Sequence, residues 1–227
     1  MKLLPLKKIA AAALVVSYFF LAGCATVKGP ALSQKVKNID INTESIGFMT
    51  LKISNSKVKS YQPDAKFAFI WEDTAGDRKK YSFKVDEPYN SKSNEFNEYI
   101  ISFKLKPGNY VIREIFSQSG LFPVRGNFAV PLYKKVTIPA QKVVYFGHID
   151  ADVVDRTGDE QLRAGPVIPL IDQAVVGASG GTFTVDISDR FVDDLELVKS
   201  KYNNLSSLEV ENMTLSKWEK PSEADMK

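Results

Sequence analysis

The sequence predicts a mainly all-β protein, an antiparallel β-sandwich with one short amphipathic helix near the C-terminus. Apolar residues recur at every second position through most of the chain, turn residues separate these runs, and no helical pattern intervenes before residue 189. Such alternation buries one side of a pleated strand and leaves the other side in solvent. Short, closely spaced strands without intervening helices are typical of a sandwich.

The chain begins with a leader that we expect to be removed. Three lysines lie among the first eight residues, and an apolar run over 9–21 follows, broken only by Ser17. The 13 residues of this run reach roughly 20 Å as a helix, short of the roughly 30 Å hydrocarbon core of a bilayer. This pattern favours a secretory signal peptide over residues 1–23 rather than a permanent membrane span.

The segment Leu21-Ala22-Gly23-Cys24 resembles the lipobox of bacterial lipoproteins. The resemblance implies cleavage between Gly23 and Cys24, a diacylglycerol group on the Cys24 thiol, and two or three acyl chains in the mature protein. Several chains hold a protein on a membrane far longer than one chain does. Ala25 stands where an aspartate often signals retention in the inner membrane, so the resemblance implies an outer-membrane address.

Charge and cysteine content exclude several classes of function. Three of the 30 basic residues precede Cys24, and no acidic residue does, so 27 basic and 27 acidic residues remain after cleavage. A neutral body lacks the concentrated basic surface of a nucleic-acid-binding protein, and it does not suggest a polybasic membrane-binding surface. Cys24 is the only cysteine, so neither an intramolecular disulfide nor a thiolate metal cluster can form.

The mature chain divides into three parts. Residues 24–43 carry Gly29 and Pro30 without clear periodicity, and we expect them to form the lipidated N-terminus and a flexible tether. Residues 44–215 should form the β-sandwich domain, with a helix over about 189–202. Residues 216–227 should form a disordered tail.

Five alternating runs are expected to point one side into the core. Their inward sets are Met49, Leu51 and Ile53; Phe67, Phe69 and Trp71; Tyr81, Phe83 and Val85; Tyr99, Ile101, Phe103 and Leu105; and Phe183, Val185 and Ile187. Residues 143–146 are apolar on both sides, which indicates a central strand. The aromatic stripes could also form a platform for sugar stacking, but core packing explains them without a ligand.

Two turns support the same architecture. Residues 73–77, with Gly76 inside, separate two strands at hairpin distance. Residues 106–109 read Lys-Pro-Gly-Asn, which fits a type II turn. Residues 107–110 also resemble the Pro-Gly-x-Tyr signature of transthyretin-like and carboxypeptidase-regulatory-like β-sandwich modules, which implies a fold type and no particular activity.

The region from Thr157 to Gly181 interrupts the strand pattern with many glycines and prolines. Loops of such length are uncommon unless they are functional or mobile. If the domain has a recognition element, this region is the first place where we expect it. After it, Ser188 or Asp189 can cap the predicted helix, whose apolar stripe is Phe191, Leu195, Val198 and Tyr202. Trp218, outside the regular strands, is the aromatic residue that we expect to make an external contact.

A hydrolase site is one alternative. Residues 177–181 fit the Gly-x-Ser-x-Gly pattern around Ser179, and a nucleophilic serine needs a base beside it. The sole histidine, His148, precedes Ser179 by 31 residues, the reverse of the α/β-hydrolase order, and a strand rather than a helix follows. We therefore interpret the segment as a glycine-rich loop, and His148 as a partly buried residue that hydrogen-bonds to the backbone.

A calcium site is a second alternative. The densest acidic cluster consists of Asp150, Asp152, Asp155, Asp159 and Glu160, and oxygen-rich clusters suit calcium. The spacing does not match an EF-hand, so a solvated strand end is the simpler interpretation. The acidic pair at 193–194 is interpreted as a helix start, since adjacent helical residues point apart.

The expected function is a non-enzymatic envelope lipoprotein whose sandwich binds another protein or a cell-wall glycan. One alternative is a surface hydrolase or calcium-dependent module that uses Ser179 or the acidic cluster from Asp150 to Glu160. Another is a structural subunit that lends a sheet edge to an envelope assembly. No catalytic residue, metal or cofactor is expected, and no nucleic-acid partner.

Overall fold

The computed structural model describes residues 27–34, 36, 39–76, 78–120, 124–167, 174–205 and 208–226. The predicted signal peptide, its cleavage site between Gly23 and Cys24, and the lipidation site Cys24 lie outside these residues. None of the described helices is both long and apolar enough to cross a membrane.

The described residues form two β-sheets with a few short helices. The strands are β1 Val27–Lys28, β2 Ser45–Asn55, β3 Asp64–Glu72, β4 Lys80–Lys84, β5 Asn90–Lys92, β6 Phe96–Leu105, β7 Gly108–Ser119, β8 Gly126–Ile138, β9 Val143–Asp155, β10 Gly181–Ser188 and β11 Val210–Asn212. The helices are α1 Phe191–Lys201, a 3₁₀ turn at Asn203–Leu205, and α2 Glu223–Met226.

The two sheets follow a sandwich topology. Sheet A has the strand order β1-β4-β3-β7-β8, and sheet B has the order β10-β9-β2-β6-β5, with β11 also beside β9. Most neighbours are antiparallel, while the pairs β1–β4, β2–β9 and β9–β11 are parallel. The prediction of a mainly all-β sandwich with a short helix near the C-terminus is confirmed.

The main core lies between the two sheets. Four of the five predicted inward sets, on β2, β4 with the residue after it, β6 and β10, belong to this core or pack against it. Its centre is aromatic: the Phe103 ring lies 5.8 Å, between centroids, from both Phe83 and Phe146. Removing this apolar surface from water is the main force that holds the sheets together.

The inward set predicted on β3 is wrong. Ala68 and Ile70 point into the main core, and Phe67, Phe69 and Trp71 therefore lie on the outer face of sheet A. Both sides of this strand are apolar, so alternation alone cannot decide which side is buried. Ala68 pairs with Phe83, and the small alanine leaves room for that ring inside a densely packed core.

A second core lies on the outer face of sheet B, beneath helix α1. Its members come from the N-terminal segment, sheet B and the helical region: Leu32, Ile46, Phe48, Ile100, Val143, Tyr145, Val198, Tyr202 and Leu205. The predicted helix over 189–202 is confirmed in type and begins two residues later, at Phe191. Asp189 Oδ1 accepts a hydrogen bond of 2.9 Å from the Phe191 N–H.

The described part of the expected tether packs against the domain instead. Strand β1 pairs with β4, Leu32 is buried, and its N–H donates a 2.8 Å hydrogen bond to Ser102 Oγ. Ile39 and Ile41 pack on the second core. The segment shows no periodicity because its strand has only two residues and the rest is held by single apolar residues.

The edge of sheet A at β8 is closed by two segments, the long excursion after Thr157, which was predicted to be functional or mobile, and residues 216–227, which were predicted to be a disordered tail. The Ala129 N–H donates to the Ala164 carbonyl at 2.8 Å, and the Trp218 indole N–H donates to the Pro131 carbonyl at 2.5 Å. Ala164 is fully buried in the main core, and Trp218 packs against that core. Free strand edges invite aggregation, so these contacts protect the sandwich and also order the described residues of the tail.

Candidate functional site

Four aromatic side chains lie together on the outer face of sheet A. The rings of Phe67 and Phe69 are 6.3 Å apart between centroids, and Phe116 lies 6.5 Å from Phe67 and 6.4 Å from Phe69. Trp71 continues the same row on β3. All four side chains are partly exposed, and neither apolar core includes them. We call this group the aromatic face.

Strand pairing positions the aromatic face. Phe67 lies opposite Phe116 in the β3–β7 pair, and a register shift after Ile112 inserts Arg113 beside the row. The Arg113 guanidinium carbon lies 3.9 Å from the Trp71 ring centroid, and Lys80 Nζ lies 4.7 Å from it. Cations at this distance from an indole ring are attracted by its negative faces.

The β4 side of the aromatic face is cationic. Lys80 lies opposite Trp71 and Lys84 lies opposite Phe67, so both lysines flank the rings. Both are exposed, and neither forms an ion pair with a described residue. On the other side, Glu114 lies 3.5 Å from Arg113 Nε. The sequence from Cys24 onward is neutral as a whole, but its charge is unevenly placed around these rings.

A buried polar network lies on the opposite outer face, between sheet B and helix α1. Thr50 Oγ1 and the Tyr145 hydroxyl each donate a 2.5 Å hydrogen bond to Asp194 Oδ2. His148 Nδ1 lies 2.8 Å from Thr50 Oγ1. All four residues are at most 4% exposed.

A β-bulge at Gly147 brings His148 into this network. Met49 lies between two paired positions, Phe48 with Tyr145 and Thr50 with His148, so β9 carries one extra residue there. Gly147 has a φ of +108°, a conformation that side chains with a Cβ rarely adopt. If β9 continued to alternate regularly through Gly147, with no bulge, His148 would point into the main core.

The single hydroxyl proton of Thr50 determines where the other protons of the network lie. Thr50 has one hydroxyl proton, which it donates to Asp194, so His148 Nδ1 must carry the proton shared with Thr50. Burial, followed by the positive charge of Arg190, lowers the pKa of His148, and the imidazole is therefore neutral near pH 7. Burial and the hydrogen bond to Asp194 raise the pKa of Tyr145, which keeps its hydroxyl proton.

The network fastens helix α1 to sheet B. A hydroxyl beside an imidazole and a carboxylate has the composition of a nucleophile with its base, but a substrate cannot reach side chains that are buried to this extent. The expectation that His148 bonds to the backbone is therefore wrong, since its partner is the Thr50 side chain. The two acidic residues at the helix start point apart, as expected: Asp193 is exposed, whereas Asp194 is buried between the helix and sheet B.

The structure does not bring Ser179 and His148 together. His148 pairs with Ser188 at one end of β10, and Gly181 pairs with Asp155 at the other end. The eight residues of β10 span roughly 25 Å at about 3.3 Å each, and Ser179 lies beyond the Gly181 end. The Ser179 carbonyl accepts a 2.6 Å hydrogen bond from Arg163 instead.

The acidic cluster is dispersed along β9 and the loop after it. Asp150 forms a 3.0 Å ion pair with Lys52, and Asp152 accepts a 2.8 Å hydrogen bond from Ser54 Oγ. Asp159 forms its own 3.0 Å ion pair with Arg156. Among the described residues, no three acidic, histidine or cysteine side chains are grouped so that they could hold a metal ion.

The long excursion after β9 closes the sandwich edge with its described residues. Ala164, Val176 and Ala178 are fully buried in the main core. Val167 and Val175 are exposed by 64% and 46%, and residues 168–173 between them lie outside the described residues. The prediction that this region holds a recognition element stays a prediction. Trp218, predicted to make an external contact, instead packs against β8 of its own domain, where its indole N–H donates to the Pro131 carbonyl.

No family model and no curated protein matches the chain. A leucine-rich repeat protein from Bacteroides thetaiotaomicron VPI-5482 is similar in structure to part of it, with a TM-score of 0.29 and 11% sequence identity. The likeness covers 48% of this chain and 14% of that protein's chain. A likeness of this size carries no argument about fold or function.

Proposed function

We propose that this protein is a membrane-anchored envelope lipoprotein with a non-enzymatic binding domain. The basic start, the apolar run and the lipobox-like segment ending at Cys24 support the anchor. Ala25 supports the outer membrane as its destination, by the same resemblance. The β-sandwich is then held close to the membrane surface, where it binds a partner.

The observation that carries the binding role is the aromatic face. Its rings are partly exposed, while the similar rings of Phe83 and Phe103 are buried in the main core. Contiguous apolar surface on a folded domain marks sites of interaction, and aromatic side chains contribute strongly to binding because they bury a large area. The flanking lysines add a preference for an anionic partner.

A hydrolase role has less support from the described residues. Ser179 and His148 lie far apart. The Thr50 hydroxyl of the buried network is not accessible to solvent or substrate. We therefore propose binding, and no catalytic step is assigned to any residue.

The anchor is tested by the mass and location of the protein in cells that express the full chain. The wild-type protein should lose residues 1–23, gain the mass of acyl chains on Cys24, and sediment with membranes. A Cys24→Ser variant should gain no acyl mass and should leave the membrane fraction. An unacylated wild-type protein would contradict the proposal.

The binding role is tested by thiol labelling, because acylated Cys24 leaves the mature chain without another cysteine. Lys84→Cys places a thiol at the rim of the aromatic face, and Val192→Cys places one on helix α1, where Val192 is 76% exposed. In intact envelopes a maleimide should label the first thiol slowly and the second rapidly. In detergent both should react at similar rates. Equal labelling in envelopes would argue against an occupied aromatic face.

A further inference from the structure

The described chain begins at strand β1, in the same sheet as the aromatic face. Strand β1 is the edge strand of sheet A, next to β4. Val27 pairs with Ser82, and Ser82 pairs with Phe69, so the three residues lie in one row across the sheet. Two strand spacings separate Val27 from Phe69, a distance of roughly 10 Å.

The chain between the anchor and this row is short. Cys24 precedes Val27 by three residues, which can span at most about 11 Å when fully extended. An anchor on Cys24 could therefore be no more than about 11 Å from Val27, at the edge of sheet A. Helix α1 packs on the far side of sheet B, so the whole thickness of the sandwich separates it from the outer face of sheet A.

The chemistry of the aromatic face fits a phospholipid surface. Tryptophan favours the boundary between headgroups and acyl chains, phenylalanine occurs on the apolar side of amphipathic surfaces that lie there, and nearby lysines are attracted to anionic headgroups. Lys80 and Lys84 stand beside the rings on β4, the strand that pairs with β1. Apolar contact and charge are thus combined on the surface nearest the anchor.

We propose that the aromatic face lies on the leaflet that holds the anchor and contacts anionic phospholipid headgroups there. This inference rests on the lipidation of Cys24 proposed above, and it names the partner of the binding surface. The sandwich then lies with sheet A toward the bilayer and helix α1 away from it. A glycan or a protein on the same rings is the competing occupant.

Tryptophan fluorescence of the acylated full chain tests the orientation. The chain has two tryptophans, so Trp218→Phe leaves Trp71, on the aromatic face, as the only reporter. The protein is reconstituted into vesicles of phosphatidylethanolamine and phosphatidylglycerol, with or without bromine atoms on the acyl chains near the headgroups. Trp71 emission should fall in the brominated vesicles. In the matched Trp71→Phe protein, Trp218 emission should stay nearly constant. Its indole N–H is hydrogen-bonded to the Pro131 carbonyl on β8, the strand at the opposite edge of sheet A from β1.

Charge reversal sharpens the test. The double variant Lys80→Glu and Lys84→Glu, in the Trp218→Phe background, should lose much of the bromine quenching while keeping the circular dichroism spectrum of the parent. High salt should reduce the quenching of the parent in the same direction.

The outcomes separate this inference from the proposed function. An acylated protein whose Trp71 is equally bright in both kinds of vesicle overturns the inference and leaves the anchor intact. If Lys84→Cys is then still protected in envelopes, the occupant is a glycan or a protein. A protein whose mass shows no acyl group on Cys24 overturns the proposed function itself.

Discussion

The outer face of sheet B is covered by helix α1 and the N-terminal segment, whereas the outer face of sheet A keeps four aromatic rings partly exposed. Both faces are rich in apolar side chains, and both belong to the same sandwich. The difference lies in the segments that pack on them. On sheet B the cover comes from the chain itself, and it is held by a polar network as well as by apolar contact.

This contrast separates two uses of an apolar sheet face. A face covered by the chain's own helix contributes to the stability of the domain. A face that remains partly exposed contributes less to stability and is available for a partner. Substitutions on the two faces should therefore differ in what they change, and the predictions below run from the largest expected loss of stability to the smallest.

The largest difference is expected between two phenylalanines of sheet A that lie on opposite sides of it. Phe83→Ala should lower the free energy of unfolding by about 3–5 kcal/mol, because it leaves a cavity in the main core. Phe69→Ala on the aromatic face should lower it by about 1 kcal/mol, since its ring is already partly in water. Urea unfolding of the two variants measures both values. Equal losses would mean that the aromatic face is part of the core.

The polar network should matter nearly as much. Asp194→Ala leaves two buried hydroxyl donors, of Thr50 and Tyr145, without their acceptor, at a cost of about 2–4 kcal/mol. The adjacent Asp193→Ala is the matched control, because Asp193 is exposed, and it should change stability by about 0.5 kcal/mol or less. Urea unfolding measures both, and far-ultraviolet circular dichroism shows whether α1 stays helical. Similar values for the two variants would contradict the role of the network.

The bulge on β9 should be sensitive to any side chain. Gly147→Ala forces an alanine into a φ of +108°, and its Cβ would lie 3.3 Å from the Ser188 carbonyl oxygen, so we expect a loss of about 1–3 kcal/mol. Gly180→Ala is the control, because the nearest atom would be 3.7 Å away, at the flexible end of Lys57. Thermal unfolding distinguishes the two. A tolerated Gly147→Ala would contradict the strain expected from a side chain at this position.

The smallest effect should be a dependence of stability on pH. The folded pKa of His148 lies below its ordinary value of 6.5, so below that pH the unfolded chain binds a proton that the folded chain resists. Stability should therefore fall as the pH is lowered from 7 to 5.5, by at most about 1.4 kcal/mol per pH unit from this group. His148→Asn should flatten this slope, since the chain has no other histidine. An unchanged slope in urea unfolding would assign it to other groups.

Much of the fold could be predicted where one side of a strand is polar. Met49, Leu51 and Ile53 alternate with Thr50 and Lys52, which leaves only one way to place β2. On β3 the alternate positions are Ala68 and Ile70, also apolar, and the burial of that strand depends on the residues that face it. The aromatic face was missed for this reason. The size of the facing rings, known only from tertiary structure, decides between the two sides.

The buried network could be predicted only in part. A glycine within the apolar strand before His148 is a signal for a bulge, and a bulge reverses the side on which the histidine lies. Asp194 carried no such signal, because its burial depends on how helix α1 crosses sheet B. Isolated residues such as Leu32 and Trp218 also lacked a pattern, and each binds a surface made by distant strands.

The parallel pairing of β2 with β9 has a consequence for the order of folding. These strands are neighbours at the centre of sheet B, yet Thr50 and His148 are 98 residues apart in the chain. The middle of that sheet cannot assemble until β9 has been made, and contacts between such distant segments form slowly. For the exported lipoprotein proposed above, the centre of sheet B would stay unassembled until β9 has been made, and an incompletely folded domain suits passage through a secretion channel.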